Sequence, residues 1–488
     1  MGFWNMYREI RIRRLLWIAL LIPLSCSTTQ REAELPGEVP DSFTATGAGP
    51  LPEKWWRSFN DPDLDQLIED ALAQNLGLRI VWDRLAQAEA IARREGAELG
   101  PSLDYSAGVS RTRTRRELTD GTRDSSTSNE FSLGISASYE LDLWGRIRSK
   151  RDAAERDARA NVEDVKTAAI TLTAQVAQAW YQLVEQHAQL EILAMQLDTN
   201  LKVQELVTLR FRRGQVSAAD VLRQRQLVES NQGESARAES RIRVLEHLLA
   251  VLLGRSPAGP VTVKRTELVS LPPLPDTGLP AELLRRRPDI RRAFEAVMAA
   301  DQRAASALAD RFPRLTLSAR AETSTDAVGD LFETWLANLA AGLLGPILDG
   351  GRRTAEVDRT KAVLSERLND YGRLVLESIK EVEDALVKER KQREFIASLE
   401  RQLAISDQVV QRIRDTYTSG AVDYLNVLDA LLSNQSLQRS RLEARRQLIE
   451  YRIDLCRSLA GGFTLLRPEP ESIGEKGQDP SQGGTVHE

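Results

Sequence analysis

The stretch Tyr417-Thr418-Ser419-Gly420-Ala421-Val422-Asp423-Tyr424-Leu425-Asn426-Val427-Leu428-Asp429-Ala430 lies between two long helical patterns and reads as the turn of a helical hairpin. Gly420 is the helix stop, because the residue past a helix end commonly needs a positive φ that glycine adopts at least cost. Asp423 is placed to cap or lead the next helix, where a carboxylate meets the positive end of the helix dipole. The same turn occurs earlier as Phe211-Arg-Arg-Gly214-Gln-Val-Ser-Ala-Ala-Asp220-Val221-Leu222, and Gly214 and Gly420 stand 206 positions apart. The chain reads as a duplication in which each half carries one long hairpin with a glycine-centred tip.

Working outward from the tips, residues 150–213 contain neither proline nor glycine. Val176, Leu183, Leu190 and Leu197 recur every seven residues, with Leu172, Ala179 and Leu193 beside them, the pattern of a coiled-coil seam. Roughly 60 residues of helix span about 90 Å, three times the apolar thickness of a bilayer. The return helix runs over 218–253 and stops at Gly254. In the second half, a helix over 354–419 carries Leu368, Val375 and Val382 at heptad spacing beside Leu364 and Tyr371. Its return, 423–459, stops at Gly461-Gly462.

Upstream of each long helix the period changes to two. Leu103, Tyr105, Ala107 and Val109 alternate with Asp104, Ser106, Gly108 and Ser110. A polar stretch over 112–129 reads as a loop. Then Phe131, Leu133, Ile135, Ala137, Tyr139 and Leu141 alternate with small and polar residues. These are two strands with one apolar and one polar face, of the length that a tilted strand needs to cross a membrane. The second half repeats the pattern at Leu315, Leu317, Ala319 and Ala321, followed by a less regular strand over 335–348. Leu141-Asp-Leu-Trp-Gly145-Arg146 is echoed by Gly345-Pro-Ile-Leu-Asp-Gly-Gly351-Arg352.

Short helices precede the strands. Asp61-Pro62-Asp63 is a helix start, Leu64, Leu67, Ile68, Ala71 and Leu72 follow at helical spacing, and a second helix covers 78–99. Trp55, Trp56 and Phe59 read as anchors that pack where the N-terminal segment meets the body. A proline-rich linker (257–280) leads to a helix over 289–310 that ends at Phe312-Pro313.

Composition narrows the function. With 66 Lys and Arg against 71 Asp and Glu, net charge is −5 and the signs are interleaved, unlike the basic face of a nucleic-acid binder. Three His and two Cys leave little for a metal site or a Cys/His catalytic pair. No glycine-rich phosphate loop follows a strand, and no Gly-x-Ser-x-Gly elbow is present, so an enzyme is not expected. At the N-terminus, Arg8, Arg11, Arg13 and Arg14 precede an apolar run over 15–24, too short for a membrane helix and right for an export signal over 1–25. It ends Ser25-Cys26-Ser27, which resembles a bacterial lipobox with Pro23 where leucine is usual; lipidation of Cys26 is expected, with ordinary signal-peptidase cleavage as the other outcome. Ser27 fits outer-membrane sorting by the same resemblance. Residues 26–50 then form a tether, and the tail over 463–488 is expected to be disordered.

The expected fold is mainly α with a small membrane β-sheet: a first repeat over 51–255, a linker over 256–280 and a second repeat over 281–462. Four strands cannot close around a lumen, and a lipid-exposed sheet cannot keep open edges. Several copies must share one barrel.

The Trp55-Trp56…Phe59-Asn-Asp-Pro62 segment, Leu141-Asp-Leu-Trp-Gly-Arg146, Leu283-Leu-Arg-Arg-Arg-Pro-Asp-Ile290, Phe312-Pro313 and Asn426-Val-Leu-Asp-Ala430 together resemble the outer-membrane efflux family, and within it the NodT-type lipoprotein branch of TolC relatives. The likeness covers about residues 50–462. It implies a homotrimer with a 12-stranded β-barrel continued by a 12-helix α-barrel. It also implies passive efflux of small molecules in a tripartite pump, with a periplasmic adaptor and an inner-membrane resistance-nodulation-division transporter as partners. No cofactor is implied beyond the lipid on Cys26. By the same resemblance Asp429 forms a periplasmic acidic ring, Leu425 an apolar constriction one turn earlier, and Asn426 stands where some relatives carry a second Asp. Tyr417 and Asp220 match positions that hydrogen-bond between hairpins. Val422 replaces a basic partner found in some members. Gly214 and Gly420 mark tips that face the adaptor. A duct for type I protein secretion is the alternative within the family, and a periplasmic coiled-coil scaffold the alternative outside it.

Overall fold

The computed structural model describes residues 40–49, 52–117, 123–257, 259, 267–459, 463–465 and 467. Cys26, the signal segment, most of the tether, Gly461-Gly462 and the tail past residue 467 lie outside the described residues.

Trp55–Phe59 form a 3-10 turn whose Trp55, Trp56 and Phe59 are buried, as expected of anchors. α1 (Pro62–Gln74) begins at Asp61, whose Oδ1 accepts from the Leu64 amide at 3.3 Å, with Pro62 at the first helical position. The other Asp61 oxygen accepts from the Trp180 indole at 3.0 Å, so one buried carboxylate both starts a helix and satisfies an indole N–H. α2 (Leu76–Ala97) is capped by Asn75.

The strands follow: β1 (Ser102–Glu117), β2 (Arg123–Leu141), β3 (Arg314–Thr325) and β4 (Leu336–Leu344) form one antiparallel sheet in the order β1-β2-β3-β4. Most of residues 112–129, expected as a loop, is strand: the β1–β2 ladder runs without a slip from Ser102↔Ser138 to Glu117↔Arg123. The alternation rule sees a strand only where one face is apolar, and here both faces are polar while the backbone ladder continues regardless. β4 is shorter than the 335–348 expected and ends before Gly345-Pro346, since proline brings no N–H to extend a ladder. Leu103, Tyr105 and Val109 on one face are 74–86% exposed, so among the described residues nothing covers that face.

α3 (Arg146–Arg212) and α7 (Arg352–Thr418) each run 67 residues, about 100 Å. Each starts after a left-handed glycine, Gly145 and Gly351. In each corner an aspartate upstream takes the free amides: Asp142 accepts from Ile147 and Arg148, Asp349 from Gly351 and Arg353. Trp144 stacks on Phe312 at 4.7 Å and donates to the Pro313 carbonyl at 2.8 Å, tying the first corner to the turn that leads into β3. The return helices, α4 (Ala218–Leu252) and α8 (Tyr424–Leu459), are about half as long as the helices they follow.

That difference in length is filled by α2 and by α6 (Pro288–Ala309), which follows the short α5 (Pro280–Arg286). Nearer the sheet α3 packs on α2 and α6; nearer the tips it packs on α4 and α8. The helices meet end to end. Asn75, at the start of α2, donates to the Leu252 carbonyl at the end of α4, at 2.8 Å. Arg287, at the start of α6, donates to the Ser458 carbonyl at the end of α8, at 3.3 Å. Each junction sets a helix N-terminus against a C-terminus, so opposite dipole ends meet, and the Arg287 charge adds to the second.

The main core lies at this level. Trp55, Trp56, Phe59, Leu64, Ile68, Trp180, Tyr181, Leu249 and Ile453 belong to one buried cluster. Of the seam residues, Val176, Leu183, Leu193, Val375 and Val382 are buried. Arg452 and Glu389 form a buried pair at 2.5 and 2.8 Å, and the same guanidinium donates to the Pro272 and Pro273 carbonyls of the linker at 2.9 and 3.0 Å. The linker in turn pairs with the N-terminal segment, Gly47 donating to Pro275 and Gly49 to Leu274. A Cβ at Gly47 would sit 1.9 Å from the Leu274 oxygen, so only glycine fits. Cys456 is buried and unpaired, its thiol pushed by burial up to about 12.

Candidate gate at the hairpin tips

The two tips are built alike. Gly214 has φ +72° and Gly420 φ +81°, with open space where a Cβ would go, so the demand is for left-handed backbone and not for room. The Gly214 amide returns to Phe211 and the Gln215 amide to Arg210; the Gly420 and Ala421 amides return to Tyr417 and Thr416. α4 starts with a reciprocal box, the Asp220 amide bonding the Ser217 hydroxyl while the Asp220 carboxylate takes the Ser217 amide and hydroxyl. Asp423 leads α8 through its carbonyl, which accepts from Asn426.

Between the tips lies a small apolar cluster of Val207, Val221, Tyr417, Tyr424, Val427 and Leu431, with Val422 packed against it. Val422 therefore contributes packing at this position. Burial raises the pKa of the Tyr417 phenol, with Asp220 adding to the rise and Arg210 opposing it. Burial likewise raises Tyr424.

The structure brings Tyr417 and Asp220 into the same corner but does not bond them. The Asp220 carboxylate is taken by Ser217 and by Arg223 at 3.5 Å. The Tyr417 hydroxyl is buried with no aligned hydrogen-bond partner among the described residues. At the helix ends a contact between the two hairpins comes from Arg210, in the last turn of α3. Its guanidinium lies 4.1 Å over the Tyr417 ring and donates to the carbonyls of Tyr417 and Thr418, at 2.8 and 3.1 Å. It thus places a cation on the negative end of α7. Nothing in the periodicity of α3 distinguishes Arg210 from Arg212 or Arg213; only the fold shows which one turns toward α7.

Above the cluster runs a second feature that sequence reading missed, a buried amide ladder using all four helices. Tyr424 donates to Gln224 at 2.7 Å, Gln224 to the Asn200 carbonyl at 2.7 Å, and Gln435 to the Asn200 side chain at 2.9 Å. Gln196 continues to Gln438 at 2.9 Å, Gln438 to Asn434 at 2.9 Å, and Asn434 to Asp407 at 2.7 Å. Side-chain amides interrupting an apolar seam are the available signal, since buried polar groups must find partners in one register only.

Leu425, Asn426 and Asp429 lie on one exposed face of α8, continued by Leu432. This face is turned away from Val427, Ala430 and Leu431, which are buried. The three residues therefore share a surface, as the gate assignment requires. Among the described residues no group of His, Cys, Asp or Glu is placed to hold a metal ion, and no helix is long and apolar enough to cross a membrane.

The family model described as "Outer membrane efflux protein" matches residues 67–255 and again 279–461. The pyoverdine export outer membrane protein OpmQ of Pseudomonas aeruginosa is 32% identical over 422 residues, covering 84% of this chain and 87% of the relative. The cation efflux system protein CusC of Escherichia coli is 29% identical over 84% of this chain and 88% of the relative. Among solved structures, the outer-membrane channel OprN superposes with a TM-score of 0.79 at 27% identity, covering 88% of this chain and 98% of that one. A CusC structure gives a TM-score of 0.75 at 27% identity, over 88% of this chain and all of that one. The chain belongs to the outer membrane efflux protein family, and it is an outer-membrane exit duct of an efflux pump.

Proposed function

We propose that three copies of this chain close a 12-stranded barrel in the outer membrane, continued by 12 helical columns in the periplasm, and that the Asp429 face lines the narrow end of that duct. The observation that carries this reading is the sheet. Four strands lie in simple order, β1 and β4 are left as edges, and the apolar face is bare. Open edges and an apolar face together are tolerable only if neighbouring strands close the ring and lipid covers the outside. The helices offer the same two open sides. The cargo is small molecules, in keeping with relatives named for the export of pyoverdine, cations and solvents. Cys26 carries the lipid. The tips Gly214 and Gly420 meet a periplasmic adaptor, which joins the duct to an inner-membrane transporter of the resistance-nodulation-division class. Flow through the duct is passive, driven by that partner.

Three Asp429 carboxylates around a narrow mouth would focus a negative potential and favour cations. Single-channel conductance of the purified protein in a planar bilayer tests this, wild type beside Asp429→Ala. A small, cation-preferring conductance that loses its preference in the variant is expected. Conductance indifferent to the substitution removes the gate assignment. Well-folded protein that never conducts, in either form or when its tip contacts are cut, leaves a scaffold and not a duct.

A further inference from the structure

The unbroken β1–β2 register places charge where the sequence alone showed a loop. Cross-strand partners share a face, and Val109↔Phe131 is followed on that face by Arg111↔Asn129, Arg113↔Thr127 and Arg115↔Ser125. The three arginines therefore continue the bare apolar face of Leu103, Tyr105 and Val109. The opposite face is independently fixed as polar by the bonds of Ser110 and Ser324 to Glu130. The two faces of the extension differ in charge. Beyond Val109 the apolar-side face carries Arg111, Arg113, Arg115 and Arg123 against Glu117, a net +3, whereas the other carries Arg116 against Asp124 and Glu130, a net −1. None of the three arginines forms an ion pair with another described residue, and all are exposed.

Height follows from geometry. The helices hang from the Ser102, Leu141, Arg314 and Leu344 ends of the strands, so the Glu117 and Arg123 ends of β1 and β2 point to the outer side. Arg111 to Arg115 stand 8 to 12 residues beyond Leu103. That is about 26–40 Å along the strand, or roughly 20–30 Å of height after tilt, against an apolar band about 25 Å tall. The guanidinium groups thus leave the apolar band where the outer leaflet's headgroups begin. Guanidinium forks match phosphate oxygens two at a time.

We infer that Arg111, Arg113 and Arg115 form an outward-facing site for the phosphates of outer-leaflet glycolipid, three such sites ringing the trimer. The site rests on the barrel reading above, because only a membrane-spanning strand brings these residues to headgroup height. An arginine close to an anionic lipid surface contributes about fivefold in affinity, so three of them give on the order of 100-fold.

The test uses the full-length protein in nanodiscs containing bisphosphorylated lipid A, or the same lipid stripped of both phosphates, with bound lipid read by native mass spectrometry. Wild type is expected to retain the phosphorylated form at least tenfold better. The triple variant R111Q/R113Q/R115Q is expected to lose that preference while conducting in a planar bilayer like wild type. R116Q, on the other face, is expected to keep it. Equal retention of both lipids by a conducting wild type overturns this inference alone, as does a loss by R116Q equal to that of the triple variant. A wild type that neither inserts nor conducts overturns the barrel reading and this site with it.

Discussion

At the scale of single residues, the tips hold by a few specific contacts, and Arg210 crosses between hairpins at the helix ends themselves, beyond the Tyr424–Gln224 bond. Its bonds to the Tyr417 and Thr418 carbonyls join helix ends that no covalent turn connects. Hydrogen bonds to a charged group contribute about 1.5–3 kcal/mol when sheltered, and one of these carbonyls is exposed, so about 1–2 kcal/mol is the reasonable scale. Arg210→Ala should therefore raise the open fraction of the channel roughly five- to thirtyfold, seen as longer or more frequent conducting events. Arg210→Lys should fall between, keeping the charge and losing the fork. Unchanged gating in Arg210→Ala would show that the contact follows closure without holding it. What was legible here divides by locality. Gly214 and Gly420 could be read because a left-handed helix stop is a local demand. The grip of Arg210 on Tyr417 could not, because its partner lies 207 residues away and its neighbours Arg212 and Arg213 carry the same charge. Within one chain the Tyr417 and Asp220 side chains are not bonded, because Ser217, three residues before Asp220, offers the carboxylate a nearer partner.

At the scale of elements, the helices were legible to within a few residues, since seams of Val, Leu and Ala repeat over 67 residues without proline or glycine after the first turn's start, apart from Gly372 in α7. The outer halves of β1 and β2 were not, because polar alternation on both faces leaves no hydrophobic period to find. Nor was the buried pair that pins α7 to α8. Burial would raise the Glu389 carboxyl, but Arg452 and then Arg393 hydrogen-bond it and hold it below the ordinary 4.5. A carboxylate whose folded pKa lies below its unfolded one stabilises the fold above the unfolded value, and that contribution is lost as pH falls through the folded value. With both side chains at most 3% exposed, removing one partner strands a buried charge, at a cost of about 3–5 kcal/mol. Glu389→Gln should thus unfold at lower urea than wild type near pH 7, followed by far-ultraviolet circular dichroism. The gap should narrow once pH drops below 4.5, where wild type also loses its charge. A gap that stayed constant from pH 7 to pH 3 would assign the loss to packing.

At the scale of the whole molecule, the open sides of the sheet and of the helices must be closed by the same neighbour. A contact between two different faces repeats until it closes into a ring. α7 carries such a face. Leu376, Val387 and Ile405 are 49%, 41% and 62% exposed. Steps of 11 and 18 residues return to nearly the same side of a helix at about 100° per residue, so the three form one stripe. It lies opposite Ile396, Leu399 and Leu403, which are buried toward α8. α4, the other open edge near the tips, likewise exposes Leu222, Val244, Leu248 and Val251. In the trimer proposed above, this second apolar seam faces α4 of the next copy. Sequence periodicity found the buried seam and passed over this one, because two seams on one helix blur each other's period and leave almost no net amphipathicity. Burying an aliphatic side chain contributes about 1.5–3 kcal/mol, and putting a carboxylate there costs more than the lost burial. Val387→Asp with Ile405→Asp should therefore shift the detergent-purified protein from trimer to monomer in light scattering, while its helical circular dichroism stays near that of wild type. A doubly substituted protein that remained trimeric would place the subunit seam on another face of α7, and the order in which α4, α3, α8 and α7 follow one another around the ring would have to be drawn again.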